Sequence, residues 1–168
     1  VLVPFAQRES GFGVAFAVNA LGSFPILVGG TEAQKQRWLP SVARGEKMVA
    51  FCLSEKFAGS DASGLAVRAV EDGDHWVISG EKKWTTNGGV ADIYSVFCVT
   101  DPNSKSRRIS AIVVEKGTPG FSVKKVENKM GEGVAAQVGP MLKDSLTAAN
   151  GAAQTVDAAT RIIQAVDS

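Results

Sequence analysis

The stretch Met48–Asp61, MVAFCLSEKFAGSD, decides how this sequence is read. It opens as an apolar run, MVAFCL, and turns within two residues to hydroxyl and charge at Ser54 and Glu55. It closes on Ala58-Gly59-Ser60, with Asp61 behind. A short apolar run bounded by turn residues reads as a buried strand. A strand that ends in a loop of small polar residues offers backbone N–H groups and hydroxyls at close range, as a binding edge does. The plain alternative is a core strand followed by a surface turn. The stretch is also where the hydrophobic period changes, from helical before Met48 to extended after it.

Upstream, residues 9–29, ESGFGVAFAVNALGSFPILVG, are apolar and rich in small residues, which suits a tightly packed helix. Thr31 followed by Gln34 completes a capping box for a second helix, TEAQKQRWL, that buries Trp38 and Leu39. Pro40 is expected to break that helix, and SVARGE to form a further turn ended by Gly45. Downstream, strands are expected near Met48–Ser54, Gly64–Val70, His75–Trp84, Ile93–Val99, Ile109–Glu115 and Phe121–Val126, with a hairpin at Asp72-Gly73. The spacing leaves no room for crossover helices, which predicts an antiparallel barrel or sandwich. Beyond Lys129-Met130-Gly131, Val134, Val138, Met141, Leu142 and Leu146 recur at helical spacing, as do Val156, Ala159, Ile162, Ile163 and Val166. The expected class is therefore α+β: N-terminal helices over residues 1–46, a middle β domain over 47–131 and a helical tail over 132–168.

Composition bounds the function. An apolar content of 45% with 21% charge is that of an ordinary globular protein with a real core. A net charge of +1 advertises neither nucleic acid nor an anionic membrane surface. No apolar run is long enough to span a membrane, and residues 1–30 lack the charged start and cleavage site of a signal peptide. Cys52 and Cys98 fall in expected strands and read as buried free thiols of a reducing compartment. The single histidine, His75, follows a turn with no partner in a motif and reads as exposed and inert; no Cys/His metal spacing exists. Lys105, Arg107 and Arg108 read as solvated charge. Both ends look cut, as in a fragment of a longer chain.

A second segment, Gly80–Gly89, GEKKWTTNGG, sets a large aromatic directly before two hydroxyls and a Gly-rich turn. Trp84 offers a flat face to a planar ring, and Thr85 and Thr86 offer donors to ring heteroatoms. By itself it reads equally as a core tryptophan followed by a turn.

Taken together, in this order and about thirty residues apart, the two segments resemble the acyl-CoA dehydrogenase family of flavoproteins. The middle β domain of that family opens with a pattern like A-[FM]-x-[LV]-[ST]-E-P-x-A-G-S-D, and here Ala50–Asp61 reads AFCLSEKFAGSD. Its hairpin pattern G-x-K-x-[WF]-[IT]-T-N-[GA] is met by Gly80–Gly88, GEKKWTTNG. Upstream, G-[ST]-x-x-Q-[KR]-x-x-[WY]-L-P-x-[LV]-x-x-G-E is met by Gly30–Glu46, and Lys129-Met130-Gly131 is similar to the family's K-x-G. The resemblance covers roughly residues 10–131.

The resemblance implies a site for FAD between the β domain and a C-terminal helical domain. Phe51, Leu53, Ser54, Gly59 and Ser60 would line the isoalloxazine or its surroundings, with the Ser54 hydroxyl at the polar edge. Trp84 would pack on the ring beside Thr85, and Thr86 would donate toward N5. Ser60 would also face the acyl-CoA substrate. The implied reaction removes a proton α to the thioester carbonyl and passes the β hydrogen as hydride to the flavin, giving a trans-2-enoyl-CoA. Electrons then go to an electron-transfer flavoprotein. The implied enzyme is a homodimer or homotetramer, cytoplasmic in a bacterium or in the mitochondrial matrix of a eukaryote.

Two departures stand out. Lys56 replaces the family's proline, with Phe57 following, and residues 132–168 do not follow the family pattern. No position matches the family's catalytic base, and Glu55 is given a structural role, bonding backbone. An acyl-CoA oxidase or flavin monooxygenase of the same superfamily, or a truncated relative serving as a binding or assembly module, are the alternatives.

Overall fold

The computed structural model describes residues 10–127. Helices α1 (Ser10–Gly29) and α2 (Glu32–Ala43) precede a five-stranded sheet of β1 (Val49–Cys52), β2 (Arg68–Asp72), β3 (His75–Ser79), β4 (Ile93–Val99) and β5 (Ile109–Glu115). The α+β class and the order of helices before sheet are as the sequence predicts. The expected helical tail at 132–168, and Lys129-Met130-Gly131 before it, lie outside the described residues.

Local chemistry accounts for α2 at both ends. The Thr31 hydroxyl accepts from the Gln34 N–H at 3.3 Å while the Gln34 side chain accepts from the Thr31 N–H at 2.9 Å. At the C-terminus Gly45, at φ 73, donates to the Val42 carbonyl at 3.0 Å, and the Glu46 N–H reaches Ser41 at 2.9 Å. Those two bonds make a Schellman motif, which requires the left-handed residue that glycine supplies. Pro40 does not break the helix. The helix runs through it to Ala43; the missing N–H deprives only Gln36, an exposed residue, and the Arg44 N–H still reaches the Pro40 carbonyl at 3.1 Å.

The sheet is mixed, not antiparallel throughout. β4 lies at its centre, antiparallel to β5 along its length and parallel to β1 from Val49↔Ile93 to Cys52↔Val96. β2 continues the β1 side of β4 through Arg68↔Val99 and turns into β3 as an antiparallel hairpin. Gly73, at φ 63, takes the first central position of its two-residue loop. Alternation in β1 separates two environments. Ala50 and Cys52 face a core with Val67, Ala69, Tyr94, Val96 and Cys98, while Val49 packs with Ile26, Trp38 and Ile93 beneath the helices. Both cysteines are buried and free.

Three expected strands differ, each for a visible reason. The second begins at Arg68, not Gly64, because Ala62–Gly64 form a 3₁₀ turn capped by Asp61 and the next N–H groups are taken by a side chain. The Glu55 carboxylate accepts from Ala66 N–H at 2.8 Å and Val67 N–H at 3.1 Å. The third ends at Ser79 because the chain turns at Gly80 (φ 136) and Lys82 is drawn to Glu55 at 2.7 Å. The sixth, Phe121–Val126, is not a strand. Phe121 packs on Tyr94 with ring centroids 4.5 Å apart, while Val123 and Val126 stay exposed with no partner strand among the described residues.

α1 sits on the sheet through close backbone approach. Asn19 Oδ1 accepts from the Val49 N–H at 2.6 Å, and the Ser95 hydroxyl donates to the Gly22 carbonyl at 2.7 Å. A Cβ on Gly22 would lie 2.8 Å from Val49 Cγ1 and 3.2 Å from the Ala50 carbonyl carbon. Gly22→Ala is therefore expected to destabilise the fold by about 1–3 kcal/mol despite alanine's better helix propensity, measured by urea unfolding. An unchanged or raised midpoint contradicts the contact.

Burial raises the pKa of the Glu55 carboxyl, but the Lys82 hydrogen bond, the two backbone donors and the Lys82 charge outweigh it, so the value lies below the ordinary 4.5. A carboxyl depressed in the folded state stabilises above its unfolded pKa and loses that contribution as pH falls through the folded value. Lys82→Met leaves the carboxylate buried without its cation and is expected to cost about 3–5 kcal/mol near neutral pH. The penalty should shrink in unfolding experiments as pH falls through the lowered folded value of Glu55; a penalty independent of pH contradicts the assignment.

Candidate functional site

β1 delivers Phe51 toward the helix side of the sheet; Leu53 and Ser54 follow where the strand ends. From the other side, Gly80–Gly88 runs back across the end of β1. Lys82 Nζ donates to the Leu53 carbonyl at 2.9 Å as well as to Glu55, and the Lys83 N–H donates to the Ser54 carbonyl at 2.8 Å. These bonds hold two segments some thirty residues apart in fixed register.

The result is a cleft of about 200 Å³ between the two segments and α1. Phe51, Leu53, Ser54, Trp84 and Thr86 line it, together with Lys83 and with Val18 and Leu21 from α1. Phe51 is braced from behind by Phe97, with ring centroids 4.8 Å apart. Trp84 is 58% exposed and has φ 54; Asn87, three residues on, has φ 64. A bulky residue in the left-handed region costs of order 1–3 kcal/mol and persists only where its surroundings enforce it. Here Lys83 is tied to Ser54 on one side, and on the other the Asn87 side chain donates to the Ala15 carbonyl of α1 at 3.1 Å. The turn between is closed by Gly88 N–H to Thr85 at 3.0 Å and Ala91 N–H to Asn87 at 2.8 Å.

Five of the eight residues singled out from the sequence thus meet in one cleft. Thr85 turns inward instead: it is half-buried, and its hydroxyl bonds the Cys52 thiol. Burial pushes that thiol up to about 11, against the opposing effects of the Thr85 bond and the Lys82 charge. Gly59 and Ser60 lie on the exposed loop beyond Ala58 and do not line the cleft. Among the described residues, nothing beyond its two chain neighbours comes within 4 Å of the position a Gly59 Cβ would take, so bare backbone is open there.

Sequence reasoning missed Val18, Leu21, Lys83 and Lys82. The first two are spaced three apart on a helix that is apolar on most sides, so periodicity does not tell which stripe lines a cleft. Lys82 had a signal: a lysine fixed in the same pattern as Trp84, with a glutamate fixed directly after the strand in the other pattern. His75 is exposed and pairs with its neighbour Asp74. Arg108 is not simply solvated: its guanidinium donates to the Ser63 and Leu65 carbonyls, each at 2.9 Å, and fixes the loop after Asp61. Among the described residues no helix is long and apolar enough to cross a membrane, and no three His, Cys, Asp or Glu side chains cluster as for a metal ion.

Two family models match the chain. Residues 2–46 match the acyl-CoA dehydrogenase N-terminal domain and residues 50–145 the acyl-CoA dehydrogenase middle domain. An acyl-CoA dehydrogenase of Bacillus subtilis is 43% identical over 127 residues, which is 75% of this chain and 34% of that protein. Butyryl-CoA dehydrogenase from Megasphaera elsdenii superposes with a TM-score of 0.68 at 42% identity, covering 75% of this chain and 33% of that one. A glutaryl-CoA dehydrogenase from Mycobacterium smegmatis in complex with FADH2 does so with a TM-score of 0.68 at 35% identity, covering 75% and 32%. The chain therefore spans about a third of the length of the relatives it matches. Within that span the motifs and the fold agree, and the chain belongs to the acyl-CoA dehydrogenase family.

Proposed function

We propose that this chain carries the flavin-facing wall of an enzyme that oxidises an acyl-CoA thioester to the trans-2-enoyl-CoA, with FAD as cofactor. The observation that carries the reading is the single cleft formed by Phe51, Leu53 and Ser54 from one segment and Trp84 and Thr86 from the other. Its donor set suits an isoalloxazine. Trp84 is a large, exposed flat ring held by a costly backbone conformation, and apolar Phe51, Leu53, Val18 and Leu21 surround two half-buried hydroxyls. The cleft accommodates a ring system rather than a whole dinucleotide.

Bound FAD supplies the acceptor for the substrate's β hydrogen as hydride. The chain's own residues do the rest of what this wall contributes. Trp84 offers its face to the ring and, with the apolar residues, excludes water from one side of it. The Ser54 and Thr86 hydroxyls donate to ring heteroatoms, where negative charge grows on reduction. Gly59, Ser60 and Thr85 complete the loop edges of the site, Thr85 from beneath through Cys52, and Ser60 on the side of the thioester. Glu55 is not the base that removes the α proton, since both its oxygens are engaged and its pKa is lowered. The base comes from outside the described residues. Electrons pass to an electron-transfer flavoprotein, and the enzyme is a homodimer or homotetramer of the bacterial cytoplasm or the mitochondrial matrix.

The full-length protein is expected to keep flavin absorbance through gel filtration and to lose it on anaerobic addition of an acyl-CoA. A colourless protein that binds no acyl-CoA overturns the reading. Reduced flavin that reacts rapidly with oxygen moves the assignment to an oxidase or monooxygenase of the same superfamily. Trp84→Ala in that protein should weaken flavin binding about tenfold or more, read by titration of the apoprotein with FAD.

A further inference from the structure

Residues 55–67 form a closed loop whose tip, Gly59-Ser60-Asp61, is exposed. Its neck is tied by the Glu55 carboxylate, which accepts from the Ala66 and Val67 N–H groups. The first limb is short and well held. The Glu55 N–H donates to the Ala58 carbonyl at 2.8 Å, and Ala58 is buried with Leu65 and Val99. The returning limb has weaker means of its own. Its 3₁₀ turn is closed by Gly64 N–H to Asp61 and Leu65 N–H to Ala62, both at 3.3 Å, past the usual range for an amide donor. The Asp61 carboxylate accepts from the Ser63 N–H at 2.9 Å and the Ser63 hydroxyl at 2.6 Å, but both partners belong to the limb itself. Beyond the neck, the hydrogen bonds that fasten this limb to the rest of the described fold are those of Arg108. Its Nη1 donates to the Ser63 carbonyl and its Nη2 to the Leu65 carbonyl, each at 2.9 Å. Arg108 is itself fixed where β4 and β5 part, its carbonyl accepting from the Thr100 N–H at 3.0 Å and the Asp101 N–H at 3.3 Å. A rigid strand end thus grips the limb with a two-pronged donor.

The grip lies a few residues behind the Gly59-Ser60 tip, and the tip stands clear of the flavin cleft. We infer that Arg108 is a positioning residue for the acyl-CoA substrate. It touches no ligand; by holding the Ser63 and Leu65 carbonyls it keeps the Gly59-Ser60 backbone ordered where the thioester arrives. The inference rests on the function proposed above, which sets Ser60 on that side. A tip that is ordered beforehand spares the substrate the entropy of ordering it on binding. The effect falls on substrate affinity rather than on the cofactor, because the walls of the cleft are held by other bonds, those of Lys82, Lys83 and Asn87. Lysine does not replace the arginine here: its ammonium is a point charge, not a planar fork that spans two carbonyls.

The test follows turnover of an acyl-CoA by the full-length protein with an artificial electron acceptor, beside titration of the apoprotein with FAD. Arg108→Met is expected to raise KM about fivefold to tenfold, with kcat within about twofold of wild type and flavin affinity unchanged, the pattern of binding lost equally from ground and transition states. Arg108→Lys should fall between the methionine variant and wild type. Asp61→Ala loosens the same limb without altering Arg108, should raise KM in the same direction, and decides the matter if the methionine variant does not fold. A KM equal to that of wild type overturns the inference. A fall in kcat and flavin affinity as large as the rise in KM also overturns it, because Arg108 would then hold the fold as a whole. Flavin absorbance recorded on the same samples keeps the two readings apart. Yellow wild-type protein whose variants keep its KM removes only the role of Arg108; colourless protein that turns over no acyl-CoA removes the proposed function and this inference with it.

Discussion

The Glu55–Lys82 ion pair is the constraint on which the rest of the site depends. Each side chain is only 9% exposed, and between them they take the Ala66 and Val67 N–H groups and the Leu53 carbonyl. A buried pair of this kind contributes little net stability, because desolvating two charges offsets most of their attraction. What it contributes is position. It ends β1, delays β2 and stops β3 early. The Leu53-Ser54 end of β1 and the Trp84–Thr86 turn are thereby brought face to face.

The third wall is held by a different means. α1 approaches β1 so closely that Gly22 has no room for a side chain, and its polar anchors, Asn19 and Ser95, bond backbone groups across the gap. Asn87 then ties the Trp84 turn to the same helix through the Ala15 carbonyl. One rigid helix thus fixes both the floor of the cleft and the backbone conformation that holds Trp84 out. Binding groups set on elements tied in this way are already ordered before a ligand arrives, which lowers the cost of binding it.

Much of this was legible in the sequence, because it is carried by local rules. The capping box at Thr31, the glycine stop at Gly45, the hairpin glycine at Gly73 and the strands Ile93–Val99 and Ile109–Glu115 follow from caps, turns and β-branched runs. Family motifs pointed to Phe51, Leu53, Ser54, Trp84 and Thr86, which share the cleft. What was not legible is long-range. The parallel pairing of β1 with β4 depends on how the intervening hairpin is routed, and no residue pattern announces it. The true ends of β2 and β3 depend on a carboxylate eleven residues or more away in sequence, so alternation alone carries them too far. Phe121–Val126 alternates like a strand, yet only Phe121 finds a partner, on Tyr94.

A double-mutant cycle read by flavin binding tests the central claim most directly. Glu55→Gln, Lys82→Met and the double variant of the full-length protein are each reconstituted with FAD and their affinities compared. If the pair acts as one device that sets both walls, each single change weakens binding and the double change costs far less than their sum, a coupling of about 1–3 kcal/mol. Strictly additive effects, or single variants that bind flavin like wild type, would contradict the account.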